Sequence, residues 1–193
     1  YDFLPPSQLE VLDRLGLAVM LHIPRSGRLK DPVNLGQILE IEQNYPNLKL
    51  ILAHVGRAYC EEDVGDAFEI LKKTERLTFD FSANTNAKVF EWAINAVGPQ
   101  RMIFGSDLPI TRMRMRRITK NGKYLNLVPK GLYGDVSDDP SMCEIEGEEA
   151  DRLSFFIYEE IKSIREAAIN TRLNKGEIED LFFNNAHRML GLS

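Results

Sequence analysis

The stretch RMIFGSDLP, residues 101–109, decides the fold, because it runs an apolar segment directly into a carboxylate. Residues 102–105 predict a short buried strand and its end, and Pro109 prevents the strand from continuing. Asp107 lies between them. An ionised carboxylate at a strand tip requires a cation, hydrogen-bond donors or water. The question is therefore which other side chains reach the same point.

Three earlier apolar runs end in the same way, in a polar residue. They are LAVMLHIP (17–24), NLKLILAHVGR (47–57) and RLTFDFSAN (76–84), with strand ends at His22, His54 and Ser82. Amphipathic helical patterns separate the runs, so the strand ends recur at about the length of one βα unit, roughly 30 residues. Continuous apolar runs are typical of strands covered on both faces. The alternation predicts an α/β fold with a parallel sheet and right-handed crossovers.

The pattern changes after the fourth strand. We interpret about 110–147 as an inserted loop region, followed by a long helix over 148–170 and a final helical segment over 176–192. An arginine-rich run at 112–117 directly follows the strand tip. It could lie over the site and attract an anionic substrate, but we favour a solvated loop that pairs with the acidic stretch at 135–151.

Composition limits the class of protein. The chain has 193 residues with 44% hydrophobic content, which predicts a single domain over residues 1–193. A net charge of −5 gives no support for nucleic-acid binding, and no apolar run is long enough to span a membrane. With two cysteines and no CxxC motif, we expect a reducing compartment, the cytoplasm.

The candidate site lies at the strand ends. In parallel βα arrays the carboxyl ends of all strands lie on one face, and ligands bind there. His22, His54 and Asp107 each follow a predicted strand, and the chain has three histidines in all. The third, His187, lies in the closing helical segment and is interpreted as structural. We therefore expect His22, His54 and Asp107 to converge, with Ser82 and Ser106 as supporting hydrogen-bond groups.

The segments LAVMLHIP, LILAHVGR, FDFSAN, FGSDLP and NNAHRMLGL together resemble the amidohydrolase superfamily. The closest likeness is to the amidohydrolase-related branch that includes aminocarboxymuconate-semialdehyde decarboxylase. This resemblance implies a (β/α)8 TIM barrel, of which this chain would supply about the last four βα units, the carboxyl-terminal half.

The resemblance also implies a divalent metal, most commonly zinc. By the family pattern His22 would be a metal ligand, and Asp107 would be both a ligand and the acceptor of a proton from the metal-bound water. His54 would be catalytic, by polarising a substrate carbonyl or stabilising developing charge. Arg57 is a candidate to bind a substrate carboxylate, with a surface salt bridge an equal alternative.

The predicted function is a metal-dependent hydrolase that acts on a small carboxylate, lactone or amide, with a decarboxylase on the same scaffold as the alternative. The sequence departs from the family in having no HxH pair and four clear strands, which cannot close an eight-stranded barrel. We therefore expect a small-molecule substrate, and association with the missing barrel half or with a second copy of the chain. A catalytically incomplete half-barrel that serves as an interaction domain is the non-enzymatic alternative.

Overall fold

The structure, a computed structural model, describes residues 4–192 and alternates helices with strands in its first half. The elements are α1 (Pro6–Arg14), β1 (Ala18–Leu21), α2 (Pro32–Asn44), β2 (Lys49–Leu52), α3 (His54–Arg57), α4 (Ala67–Leu71), β3 (Thr78–Asp80), α5 (Ala87–Val97) and β4 (Met102–Ile103). Each predicted strand is present, although it is shorter than its apolar run.

The four strands form one parallel sheet in the order β1-β2-β3-β4. Sequential order in a parallel sheet means that every crossover connects neighbouring strands, as in a barrel wall. Leu52, Phe79 and Phe90 are fully buried between the sheet and its helices. The predicted α/β fold of TIM-barrel type, with this chain supplying about four βα units, is confirmed.

Strand β1 differs from the expectation that its apolar run is covered on both faces. Its residues alternate between exposed and half-buried, and Met20 remains 58% exposed. The reason is its position: β1 pairs with β2 on one side and is an edge of the sheet on the other. The side chains that would cover its second face are not among residues 4–192.

The segment predicted as an inserted loop region, about 110–147, contains a second sheet, and that prediction needs correction. Strands β5 (Arg116–Lys120) and β6 (Lys123–Pro129) are antiparallel, and β7 (Met142–Ile145) pairs parallel to β6. The β5-β6 hairpin turns at Asn121-Gly122, whose φ angles are 53° and 70°. This Asn-Gly pair is the strongest short hairpin signal, and the sequence interpretation overlooked it.

The carboxyl-terminal part is helical, but the long helix predicted over 148–170 is two helices. They are α6 (Gly147–Asp151) and α7 (Phe156–Asn170), and α8 (Lys175–Glu179), a π-helical turn (Asp180–Asn184) and α9 (Asn185–Leu190) follow. The break occurs where Ser154 accepts a backbone hydrogen bond from Met115 and Phe156 donates one to Met113. Tertiary backbone pairing therefore overrides the local helical pattern. Within residues 4–192 no helix combines the length and apolar character needed to cross a membrane.

Candidate functional site

The two strand-end histidines meet at the rim of the parallel sheet. His22 follows β1 and His54 follows β2, and their ring centroids lie 5.2 Å apart with an interplanar angle of 79°. Because β1 and β2 are neighbours in register, their carboxyl ends lie side by side. The structure therefore brings together two of the three residues that the sequence predicted to converge.

The backbone at His54 makes an unusual turn. All four residues of α3, from His54 to Arg57, have positive φ angles of 56°, 49°, 64° and 58°, so this is a left-handed turn. Left-handed backbone is unfavourable for residues other than glycine and is found mainly at functional sites. A Cβ built at Gly56 would lie 2.5 Å from Leu29 Cδ1 and would add to the strain of the positive φ, so that position favours glycine. The turn directs the chain away from β2 and leaves the His54 ring at the rim.

Asp80 and Ser82, at the end of β3, hold His54 in place. Asp80 Oδ1 accepts hydrogen bonds from His54 N at 3.1 Å, from Ser82 N at 2.7 Å and from Ser82 Oγ at 2.5 Å. His54 Nδ1 lies 2.8 Å from the Ser82 carbonyl oxygen and 3.0 Å from Ser82 Oγ. A carbonyl oxygen only accepts, so Nδ1 carries the hydrogen in the neutral ring. The lone pair of His54 is therefore on Nε2.

The predicted supporting role of Ser82 agrees with these bonds, whereas the sequence analysis did not single out Asp80. The Asp80 side chain is almost fully buried, with 2% of the residue exposed. The sequence did contain a signal for Asp80, because this carboxylate lies between two phenylalanines in the run FDF. Buried charge is rarely retained without donors around it.

Asp107 follows β4 in left-handed backbone, with a φ of 47°. No amide among residues 4–192 donates to the Asp107 carboxylate, whereas Thr111 N donates to the Asp107 backbone carbonyl oxygen at 3.4 Å. Burial lowers the pKa of His22, and the nearby His54 and Arg57 lower it further. The charge of Asp107 acts in the opposite direction but does not reverse the shift. His22 therefore favours the neutral form, in which a ring nitrogen can bind a cation.

The side chains of His22 and Asp107 are of the kinds that bind a divalent metal, but two ligands are too few to hold one. A neutral imidazole and a carboxylate are ordinary zinc ligands. Among residues 4–192, however, no group of three or more histidine, cysteine, aspartate or glutamate side chains lies close enough to hold a metal ion. His22 and Asp107, the ligands that the family resemblance implies, would therefore be an incomplete set by themselves, as the missing HxH pair suggested.

Arg57 lies at the same rim but makes structural contacts. Its Nη1 donates to the backbone carbonyls of Ile23 and Pro24, each at 3.2 Å. These bonds tie the turn after β2 to the segment that follows β1. Its predicted role in substrate binding remains a prediction, because two of its donor contacts already go to the protein.

Glu160 on α7 is a further buried carboxyl group at this end of the sheet. It is fully buried, its Oε2 accepts a hydrogen bond from Ala83 N at 2.9 Å, and its Oε1 has no partner among the described residues. Burial raises the pKa of Glu160 to about 8, and the charges of Asp80 and Asp107 act in the same direction, against the Ala83 bond. Sequence reasoning missed Glu160 because it lies far along the chain in an ordinary helical pattern.

The fold defines an α/β protein of TIM-barrel type with polar side chains at the carboxyl ends of its parallel strands. The chain belongs to the amidohydrolase family, whose model, described as Amidohydrolase, matches residues 4–192. No curated protein matches the chain at a significant level.

Solved structures with the same fold include three bacterial proteins of low sequence identity. An amidohydrolase from Burkholderia multivorans, with bound zinc, has a TM-score of 0.62 and 15% identity, over 98% of this chain and 58% of that one. Amidohydrolase 2 from Bifidobacterium longum subsp. infantis has a TM-score of 0.55 and 16% identity, over 98% and 57%. The 5-carboxyvanillate decarboxylase from Sphingomonas paucimobilis has a TM-score of 0.52 and 13% identity, over 99% and 55%. The chain thus spans less than two thirds of each.

Proposed function

We propose that the protein is a metal-dependent hydrolase of the amidohydrolase superfamily that acts on a small carboxylate, lactone or amide. The observation that carries this proposal is the contact of His22 and His54, 5.2 Å apart at the carboxyl ends of neighbouring parallel strands. Ligand sites in βα folds are built at this edge. Family membership supports the same interpretation.

The proposed cofactor is a divalent cation, with zinc as the first candidate because the related Burkholderia multivorans structure contains zinc. A zinc ion with an open coordination position lowers the pKa of a water ligand to roughly 7. His22 and Asp107 would hold the ion from this chain. Since residues 4–192 place no third ligand beside them, the remaining ligands would come from outside this range.

His54 would move protons at the reaction centre. Its Nδ1 hydrogen is directed to the Ser82 carbonyl oxygen, so Nε2 can accept a proton and return it to a leaving group. In its protonated form the ring would stabilise negative charge that develops on the substrate. Asp107 accepts no side-chain hydrogen bond from residues 4–192, so its carboxylate would be free to take a proton from the attacking water.

A decarboxylase is the second candidate. The 5-carboxyvanillate decarboxylase from Sphingomonas paucimobilis has the same fold at a TM-score of 0.52, and the same rim would serve the release of CO₂ from a carboxylate substrate. The third possibility is an incomplete barrel that functions by association.

The test is an assay of the purified protein, loaded with Zn²⁺ or Mn²⁺, against lactones, amides and aromatic carboxylates. Hydrolysis products would support the first proposal, and release of CO₂ would support the second. We expect His54→Asn and Asp107→Asn to lower kcat by at least 100-fold. The control is His187→Asn, since this histidine lies in α9 against Phe183. Unchanged turnover in the two rim variants would contradict the mechanism, and no turnover of any substrate would favour the interaction domain.

A further inference from the structure

Arg117 on β5 is enclosed by aromatic rings. Its guanidinium carbon lies 4.2 Å from the centre of the Tyr59 ring, 4.9 Å from that of Tyr124 and 4.8 Å from that of Phe156. Such contacts stabilise a cation that has lost part of its water. Burial nevertheless lowers the pKa of Arg117, as expected where desolvation dominates.

The hydrogen bonds of Arg117 go to neutral acceptors. Nη1 donates to the Ala83 carbonyl oxygen at 2.6 Å, and Nε donates to Asn126 Oδ1 at 2.9 Å. Within residues 4–192 no carboxylate forms an ion pair with it, and none is among the main charges that act on its pKa. The neighbouring Arg28, in contrast, pairs with Asp63 at 2.7 Å. Arg117 is thus a largely desolvated cation without a counterion in the described part of the chain.

The remaining edge of the guanidinium is open. Among residues 4–192, Arg117 Nη2 has no hydrogen-bond partner, and Arg117 as a residue is half-buried. Glu160 Oε1 is the one polar side-chain atom of that range that is both fully buried and unpartnered, so Nη2 is not fully buried. Nη2 must therefore be accessible to solvent. Arg117 lines a cavity of about 290 Å³, together with Tyr59, Asn86 and Lys88. Arg117, whose Nη2 makes no hydrogen bond within residues 4–192, is thus part of the wall of this cavity.

We propose that this cavity binds a small oxyanion, the carboxylate or phosphate group of a ligand, through the free edge of Arg117. The planar guanidinium presents two parallel N–H donors that match two oxygens of such a group. A bound anion would also supply the counterion that the chain lacks, which offsets part of the cost of burying the cation. The site uses none of the residues proposed for catalysis, so it does not depend on the proposed function.

Two other charged side chains line the cavity, the cation of Lys88 and the carboxylate of Glu166, and neither pairs with Arg117. Lys88 is held by Glu91 at 3.0 Å. Glu166 is the single acidic residue that lines the cavity, and it is exposed on α7. An exposed carboxylate is screened by water and salt, so its repulsion of an anion is weaker than the attraction at the desolvated guanidinium.

The test is calorimetric titration of the purified protein with sodium phosphate and, separately, sodium acetate, at an ionic strength held constant with NaCl. We expect saturable binding of at least one anion. The affinity should fall at least tenfold in Arg117→Gln and several-fold in Arg117→Lys, which keeps the charge but not the paired donors of the planar guanidinium. The preferred anion identifies the ligand group. Arg112→Gln is the matched control, because Arg112 belongs to the same run and is exposed. Equal binding by Arg117→Gln, or no saturable binding of either anion, would overturn the proposal.

Arg117→Gln removes two internal hydrogen bonds and can fail to fold, so a measurement on the unaltered protein is also needed. Crystals soaked in sodium selenate would be examined for anomalous scattering. A selenium peak within hydrogen-bond distance of Arg117 Nη2 supports the site. Selenate elsewhere in the crystal but not in this cavity, or no bound selenate at all, would refute it.

Discussion

At the scale of single residues, the side chain that organises the site is Asp80 rather than either histidine. One of its oxygens accepts three hydrogen bonds, and two of these come from Ser82, which also contacts the His54 ring. A buried carboxylate with this number of donors is held in one orientation. The sequence allowed His54 to be predicted as a strand-end residue, but the contacts that orient its ring depend on the register of β2 and β3.

Removal of the Ser82 hydroxyl should therefore affect both stability and the site. In Ser82→Ala the Asp80 oxygen keeps two of its three donors, and we expect a loss of about 1 kcal/mol in the free energy of unfolding. Urea denaturation measures it. Ser137→Ala, at an exposed position, should change the stability by less than about 0.5 kcal/mol. If the two variants were equally stable, the Ser82–Asp80 bond would contribute nothing.

Glu160 predicts a pH dependence of stability. Its pKa is 4.5 for the unperturbed group and about 8 in the folded protein, so the folded state keeps a proton that the unfolded chain releases between these values. Unfolding then releases a proton, and the stability contributed by this group falls by roughly 1.4 kcal/mol per pH unit as the pH rises through that window.

Glu160→Gln should flatten this dependence, because glutamine keeps an acceptor for Ala83 N and does not titrate. Urea unfolding at pH 5, 6, 7 and 8 measures the slope. Glu159→Gln is the control, since Glu159 is the adjacent residue and lies 3.7 Å from Arg116. An equal slope in wild type and Glu160→Gln would show that Glu160 is ionised in the folded protein.

Among the secondary-structure elements, the four strands of the parallel sheet were predictable from the sequence. A short apolar run that ends in a polar residue has few interpretations other than a buried strand. The solvent exposure of each strand was not predictable from these apolar runs. Strand β1 (AVML) is at least as apolar as β2 (KLIL) but lacks a second neighbour. The helix break before Phe156 and the β5-β6 hairpin arise from pairings between distant segments, and periodicity along the chain does not report those.

The left-handed turn of α3 should depend on Gly56. We expect Gly56→Ala to destabilise the protein by more than about 2 kcal/mol, because it adds an unfavourable φ to a clash with Leu29. Thermal or urea unfolding measures the loss. Gly131→Ala isolates the backbone cost, since Gly131 has a φ of +70° with open space around it, and should cost about 1 kcal/mol. Equal losses would mean that the contact with Leu29 is relieved without cost.

At the scale of the whole molecule, the chain forms four strands of a barrel wall with an open edge at β1. Exposed apolar side chains cluster there, with Leu17 at 45% and Met20 at 58% exposure. An unpaired strand with apolar side chains favours association. We propose that β1 joins the missing barrel half or a second copy of the chain. This association would depend on the whole edge strand, because no single residue determines it.

Met20→Lys should weaken that association, because it places a charge in the apolar edge. We expect a smaller molecular mass, or loss of the partner segment, by light scattering coupled to size-exclusion chromatography. Ile169→Lys is the control, as Ile169 is 64% exposed near the end of α7. An unchanged mass in Met20→Lys would place the association surface elsewhere.

We propose that His22, which follows β1, and Asp107, which follows β4, supply two ligands of a divalent-cation site whose other ligands lie outside residues 4–192. Equilibrium dialysis against Zn²⁺ tests it most directly. We expect one bound ion per chain in the wild type and in His187→Ala, and at least tenfold weaker binding in both His22→Ala and Asp107→Asn. Wild-type affinity in both rim variants would contradict it.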